Sequence, residues 1–347
     1  TPSSSNKDFY GGDIAFIRSG ELHANSTELF ITQDGYDNSS AKKVEIGDLL
    51  LAMYGATSGD IAVSKIRGAI NQAILCIRTN QNKKFIESVW NKHVSKILRK
   101  YLQGGQGNLS ADIVKGISFS FPTLEEQERI ANLISLLDER IATQNKIIDK
   151  LQSLIKGIVD CTILSKEKNA IVGDVCSISE QIRAEANIDD IITVRLHGKG
   201  VCKSSAENLQ LGATQYYRRR AGQLIYGKQN FHNGAIGIVP ISLDNGITSK
   251  DIPSFDIDEM KCNSVYLLAQ LQSPQYYKPA EALTTGTGSK RLKEDTFLKM
   301  PIVLPNKREQ DNIAVLIHRA SMNLDHAKRL LELLSIQKQF LLRQMFI

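Results

Sequence analysis

Apolar residues along this chain switch between two spacings, and the alternation occurs twice. From Thr123 to Asp160 they recur at steps of four and three, as Ile130, Ile134, Leu137, Ile141, Ile148, Leu151, Ile155 and Ile158, with Gln144 as a polar interruption. That spacing predicts one long amphipathic helix with a heptad seam. A second run, Ile313, Ile317, Ala320, Leu324, Ala327, Leu331, Leu334, Leu341 and Met345, lies at the C-terminal end and is interrupted by Lys338. Each run follows a proline and opens on a capping-box signal, Thr123 with Glu126 and Asn306 with Glu309. The pairs Glu126-Gln127 and Glu309-Gln310 are 183 positions apart, and Ile130, Ala131 and Ile134 recur at that separation as Ile313, Ala314 and Ile317. A helix of about 38 residues is roughly 57 Å long, more than one small domain covers. The natural partner of each helix is the other copy, lying antiparallel to it.

The stretches before the two helices follow a shorter period, with apolar segments punctuated by glycine. In the first, strands are expected at Asp13–Arg18, within Val44–Tyr54, at Ile61–Val63 and in Ala69–Ile77, then a helix over Phe85–Leu102 and a last strand around Ile117–Phe121. The second stretch repeats the plan. Gly47-Asp48-Leu49-Leu50 returns as Gly222-Gln223-Leu224-Ile225, and Gly59–Val63 as Gly234–Ile238, both 175 residues on. Ile191–Arg195 matches Ile14–Arg18 in character, Tyr266–Gln272 reads as a helix, and Pro301–Leu304 as a strand. Gly105 and Leu109 recur 183 residues on as Gly288 and Leu292, so the eight-residue drift predicts an insertion in the middle of the second domain. Ala170–Ile178 reads as an opening strand that the first domain, starting at Thr1, lacks. The expected fold class is α+β, with a pseudo-two-fold internal repeat: a mainly β domain at 1–121, a helix at 122–163, a second domain at 164–304 and a second helix at 305–347.

With 347 residues, 42 % of them apolar and 23 % charged, the chain can build two cores and is not broadly disordered. The five cysteines are too widely spaced for a disulfide framework or a CxxC metal site, which fits a reducing cytoplasm. No apolar run reaches the approximately 20 residues of a membrane span. A net charge of +6 is compatible with nucleic acid and equally with a solvated surface.

No local motif carries catalysis. The six histidines are scattered, no HExxH or GxSxG occurs, and the loops GQGNLS and GTGSKR lack P-loop spacing. Neither a metal nor a bound cofactor is expected in this chain. Polar and basic residues in corresponding loops are the better candidates. In the first domain they are Arg18, Lys65, Arg67, Gln103, Gln106 and Asn108; in the second, Arg195, Arg218, Arg219, Arg220, Lys228, Gln229, Asn230, His232, Lys290, Arg291 and Lys293. Lys and Arg neutralise phosphate, and Arg, Gln and Asn make paired hydrogen bonds to base edges. Two similar but non-identical domains on a helical spacer imply a bipartite, asymmetric double-stranded DNA target. A protein-bridging scaffold is the alternative.

The segments TPSSSNKDFYGGDIAFIRSGEL, GDLLLAMYGATSGDIAV and GQGNLSADIVKGISFSFPTLEEQERIANLI, with the echo LPNKREQDNIAVLI, resemble the specificity subunits of type I restriction–modification systems over essentially the whole chain. The resemblance implies two target-recognition domains joined by paired helices and no catalysis by the chain alone. It implies two modification subunits that bind S-adenosylmethionine and methylate adenine, and restriction subunits that use ATP and Mg. The helices then serve as spacer and partner-docking elements. No NPPY, DPPY or SPPY segment of an adenine methyltransferase occurs here.

Overall fold

The computed structural model describes residues 1–101, 109–204, 214–286 and 290–345. The chain divides into one unit of Thr1–Asn145 with Leu330–Ile347 and another of Lys146–Arg329. In chain order the strands of the first unit are β1 (Tyr10–Ile17), β2 (Phe30–Ile31), β3 (Lys42–Val44), β4 (Leu49–Ala52), β5 (Ile61–Val63), β6 (Gly68–Ile70) and β7 (Ile74–Ile77). They form sheets β2-β1-β6-β3 and β5-β4-β7. The helices are α1 (Gln33–Asp37), α2 (Lys83–Tyr101), α3 (Ala111–Lys115) and the start of α4 (Leu124–Val159).

The second unit holds β8 (Ala170–Ile171), β9 (Cys176–Ile178), β10 (Arg183–Ala184), β11 (Ile192–Val194), β12 (Val201–Lys203), β13 (Tyr216–Arg218), β14 (Leu224–Tyr226), β15 (Ile236–Ile238), β16 (Ile247–Ser249), β17 (Ser254–Ile257) and β18 (Pro301–Ile302). Its helices are α5 (Ser264–Leu271), α6 (Pro274–Tyr277), α7 (Glu294–Leu298) and the start of α8 (Lys307–Met345). The fold is α+β, with β-rich domains and two long helices.

The repeat holds at the level of strand register. Leu49 faces Val63 and Leu51 faces Ile61 in β4–β5; Leu224 faces Ile238 and Tyr226 faces Ile236 in β14–β15, each 175 residues on. Gly47 and Gly222, with φ of 89° and 86°, make the same left-handed turn into these strands, which a side chain would strain. The parallel contact of Phe16 with Ala69 recurs as Ile191 with Ile247. By β7 the offset has become 178, since Leu49 faces Ile77 and Leu224 faces Phe255. The cap residues Asn82 of α2 and Asn263 of α5 are 181 apart. The extra residues of the second domain are therefore spread over several connections rather than placed as one insertion.

Two expected strands differ. Ala170–Ile178 is β8, a 3-10 turn at Val172–Asp174 and β9, because the Asp174 carboxylate accepts from the Ile171 amide (2.8 Å) and turns the chain. Residues 117–121 carry the alternating apolar pattern of a strand but, among the described residues, have no strand beside them to complete a ladder.

Both long helices begin at a side-chain cap. The Glu126 amide donates to Thr123 Oγ1 (3.3 Å) and the Glu309 amide to Asn306 Oδ1 (3.0 Å), while the Glu309 carboxylate pairs with Lys166 rather than closing the box. One position further on, each helix carries a buried glutamine. Gln127 Nε2 donates to Gln81 Oε1 (2.6 Å) and Pro122 O (2.9 Å), and its Oε1 accepts from the Asn82 amide (3.1 Å). Gln310 repeats this, donating to Lys261 O (3.1 Å) and Pro305 O (2.8 Å) and accepting from the Asn263 amide (2.9 Å). Each glutamine thus ties the start of a long helix to the start of a domain helix.

Along the seam, Ile130, Ile134, Leu137, Ile148, Ile313, Ile317 and Leu334 are buried, and Ile141, Leu151, Ile155, Ile158, Leu324, Leu331 and Leu341 are half-buried. In the first unit the polar interruption Lys338 pairs with Asp138, which also receives Lys84 (3.0 Å). In the second unit Val159, Ile163, Ile313 and Ile317 join a core with Tyr226, Phe255, Tyr266 and Phe297.

Replacing Gln310 by leucine strands the Asn263 amide and two carbonyls, and a loss of about 2–3 kcal/mol is expected. A urea denaturation of the full chain that leaves the midpoint of the transition unmoved would contradict the clamp.

Candidate nucleic-acid interface

The repeated strands decide which basic side chains reach the surface. Arg218 on β13 faces Ile247, and at the same register of the first unit Lys43 on β3 faces Ala69. Both Arg218 and Lys43 are exposed. The sequence reading missed Lys43, which lies 175 positions before Arg218; the offset itself would have found it. Lys43 Nζ lies 4.7 Å from the Tyr36 ring centre, a contact that orients the cation without neutralising it.

One position on, the strands turn inward. Val44 and Arg219 are both fully buried. Arg219 is therefore not available to DNA, contrary to the expectation from the Arg218-Arg219-Arg220 run: it is the residue just after β13, where the chain carries the middle arginine into the domain. Its Nε donates to Thr248 Oγ1 (2.7 Å), Nη1 to Ser254 Oγ (3.0 Å) and Nη2 to Ile252 O (2.9 Å). Among the described residues no carboxylate pairs with it, and burial pulls its pKa down to about 10, so it remains a cation at neutral pH. Held by neutral acceptors, it fastens β13 to the β16–β17 turn.

The remaining candidates fall into two groups. Several are tied to carboxylates: Arg18 to Glu21 (2.7 Å), Arg67 to Glu45 (3.1 Å), Arg291 to Asp251 (3.2 Å) and Lys228 to Glu294 (2.6 Å). The Arg18 guanidinium holds the Glu21 carboxyl below its ordinary range. Lys228 is the most enclosed of them, its side chain 12 % exposed, so it serves the fold more than a ligand. Arg18 and Arg67 are well exposed, and solvent screens such pairs enough that either cation can be exchanged onto a phosphate at little cost. Lys65, Arg195, Arg220, Gln229, Asn230, Lys290 and Lys293 are exposed. Arg195 Nε lies 3.0 Å from Cys202 Sγ, and His232, half-buried, contacts Asn233 (3.3 Å). Gln103, Gln106 and Asn108 lie outside the described residues.

The glycine-containing loops are anchored alike. The Leu109 amide donates to Met53 O (2.8 Å) and the Leu292 amide to Lys228 O (2.9 Å), and both leucines are fully buried. Each loop therefore ends beside the chain that leaves the first strand of its domain's central hairpin, β4 or β14, and in the second domain this brings Lys228, Arg291, Asp251 and Glu294 together. Among the described residues no group of His, Cys, Asp and Glu could hold a metal ion, and no helix is long and apolar enough to cross a membrane.

Repeated β-rich domains, each joined to a long helix, present basic residues at equivalent strand positions, an arrangement suited to contact with nucleic-acid phosphates. Residues 1–153 match the family of the type I restriction modification DNA specificity domain. The chain is 21 % identical over 307 residues to the type I restriction enzyme MjaVIII specificity subunit of Methanocaldococcus jannaschii, covering 78 % of this chain and 71 % of that protein. It is 28 % identical over 166 residues to the MjaIX specificity subunit of the same organism, covering 44 % of this chain and 38 % of that protein. Its fold is similar to that of a type I restriction–modification S subunit from M. genitalium, with a TM-score of 0.63, 13 % identity and coverage of 99 % of this chain and 91 % of that one. A chain from a type I restriction–modification assembly gives a TM-score of 0.53 at 14 % identity, covering 99 % of this chain and 92 % of that one. The chain is thus similar to specificity subunits of type I restriction–modification systems, its first 153 residues through the family itself.

Surface and interior cations should separate cleanly on mutation. Lys43→Ala and Arg218→Ala are each expected to weaken DNA binding and to lower the slope of log affinity against log salt by about one, with thermal unfolding unchanged. Arg219→Met should instead cost about 1–3 kcal/mol of stability, by orphaning its acceptors. An Arg218→Ala protein with an unaltered salt slope would remove Arg218 from the interface.

Proposed function

We propose that each β-rich domain reads one short block of double-stranded DNA, so that the complete target is bipartite and asymmetric. The observation that carries this reading is the shared strand register with unshared surface chemistry: Lys43 stands where Arg218 stands, and Glu45 where Arg220 stands. One scaffold used twice with different side chains reads two different sequences. Arg18, Lys65, Arg67, Lys43, Arg218, Arg220, Lys290 and Lys293 supply the phosphate and base contacts. The domains are residues 1–121 and 164–304, and the helices at 122–163 and 305–347 set the length of unread DNA.

The long helices also carry the partners. Besides the buried seam they expose a second apolar stripe, with Leu136 59 % and Phe340 59 % exposed in the first unit and Leu154 52 % and Leu316 51 % exposed in the second. Apolar side chains exposed in rows along a helix pair mark protein–protein contact. Two modification subunits dock there, supplying S-adenosylmethionine and adenine methylation, and restriction subunits with ATP and Mg join that assembly.

Inserting one heptad into each long helix tests the spacer role. Seven residues add about 10.5 Å, or about 3 base pairs of DNA. The same two half-sites should be methylated by the reconstituted complex with a gap longer by that amount. An unchanged gap, with the complex intact, would show that the helices do not measure the DNA.

A further inference from the structure

Just past the pairs Lys43–Ala69 and Arg218–Ile247, both ladders come to an end. Val44 faces Gly68 in the first unit, and in the second the Arg219 amide donates to Gly246 O (2.7 Å). A Cβ on Gly68 would run into the Ala15 carbonyl oxygen and one on Gly246 into the Ile192 side chain, so β1 and β11 back these positions closely. One residue further on, the facing positions are Glu45 with Arg67 in the first unit and Arg220 with Asn245 in the second.

Glu45 and Arg220 stand on matching turns. The Glu45 amide donates to Asp48 Oδ2 (3.0 Å) and the Arg220 amide to Gln223 Oε1 (2.9 Å), and both acceptor side chains belong to buried residues. What the turns carry is unlike. Glu45 Oε2 lies 3.1 Å from Arg67 Nε, and the two side chains are 59 % and 76 % exposed. Arg220 and Asn245 are exposed as well, with Asn245 Nδ2 donating to Asp244 Oδ2 (2.9 Å).

The Glu45–Arg67 pair borders a hollow of about 210 Å³ that Asp13 and Lys43 also line. A phosphate offers only acceptors, and two carboxylates at this place repel it. Arg18 differs, because its partner Glu21 is recessed, 18 % exposed, and accepts from the Arg18 amide (3.0 Å) and Thr27 (3.2 Å). The ligand edge that sets acceptors beside a donor is that of a base pair in the major groove. A G·C pair places guanine N7 and O6 next to the N4 donor of cytosine, an order that an arginine beside a carboxylate matches. An A·T pair puts the adenine N6 donor against the guanidinium and thymine O4 against the carboxylate, so the same two side chains reject it.

We infer that Arg67 and Glu45 together read one G·C pair in the block recognised by the first domain, Arg67 forking onto guanine N7 and O6 and Glu45 accepting from cytosine N4. This assignment rests on the reading that each domain recognises its own block of DNA. Arg220 and Asn245 hold the same ladder positions with different donors and acceptors, so the second block is read by another rule.

Selection of bound DNA from randomised duplexes, with the full chain assembled with its modification subunits, tests the pair when repeated with Arg67→Ala and Glu45→Gln. The unaltered chain should return two blocks, one of them holding a G·C pair preferred about ten- to hundredfold over A·T. Arg67→Ala should lower that preference to below about threefold at that pair alone. Glu45→Gln should admit A·T there and keep affinity for G·C within about threefold, because the glutamine amide accepts from cytosine N4 and also donates to thymine O4. The second block and the thermal unfolding of both variants should stay unchanged, which a merely structural ion pair would not give. Two blocks whose base preferences neither variant alters, with binding weakened equally for all sequences, would overturn the role of the pair and leave the two-block reading standing. A single contiguous block from the unaltered chain would overturn both.

Discussion

A buried amide side chain fixes where each long helix begins, and most of the architecture follows from it. Gln127 and Gln310 each satisfy a proline carbonyl just before the helix, a second group in the preceding loop, and the first amide of a domain helix. Such a residue is costly to bury without partners and gains direction from having all of them. It converts a flexible junction into a set exit angle. The hydrophobic seam then only has to keep what the glutamine has already aimed, which is why its residues range from fully buried Ile134 to half-buried Leu324 and Leu331.

The same economy governs the cations. Arg219 lies inside with no carboxylate partner among the described residues, held by two hydroxyls, an amide oxygen and a backbone carbonyl, and spends its charge on fastening the end of β13 to the β16–β17 turn. Its neighbour Arg218 is exposed to solvent. Between these extremes stand Arg18 and Arg67, paired to carboxylates in solvent, where the pairing is weak enough to be exchanged for phosphate. Where β13 ends therefore decides which arginine of a single Arg-Arg-Arg run is buried.

Periodicity alone exposed the two long helices, their caps and their seam, because a heptad over five turns or more has few competing explanations. The matched glycine turns at Gly47 and Gly222 likewise marked equivalent hairpins. The interior arginine was illegible for the opposite reason: three consecutive arginines show no contrast in polarity that tells which of them turns inward. Lys43 was hidden because β3 is only three residues long and its burial is set by β6 across the sheet. The turn at Val172–Asp174 was missed because an acidic side chain folding back on its own backbone competes with strand geometry in a way that residue propensity does not register.

The most direct measurement of the central claim is selection of bound DNA from randomised duplexes, using this chain assembled with its modification subunits and S-adenosylmethionine. The account predicts two short, unlike sequence blocks at one fixed separation, with Arg218→Ala altering only the block read by the second domain. A single contiguous block, or two blocks that both change with Arg218→Ala, would contradict it.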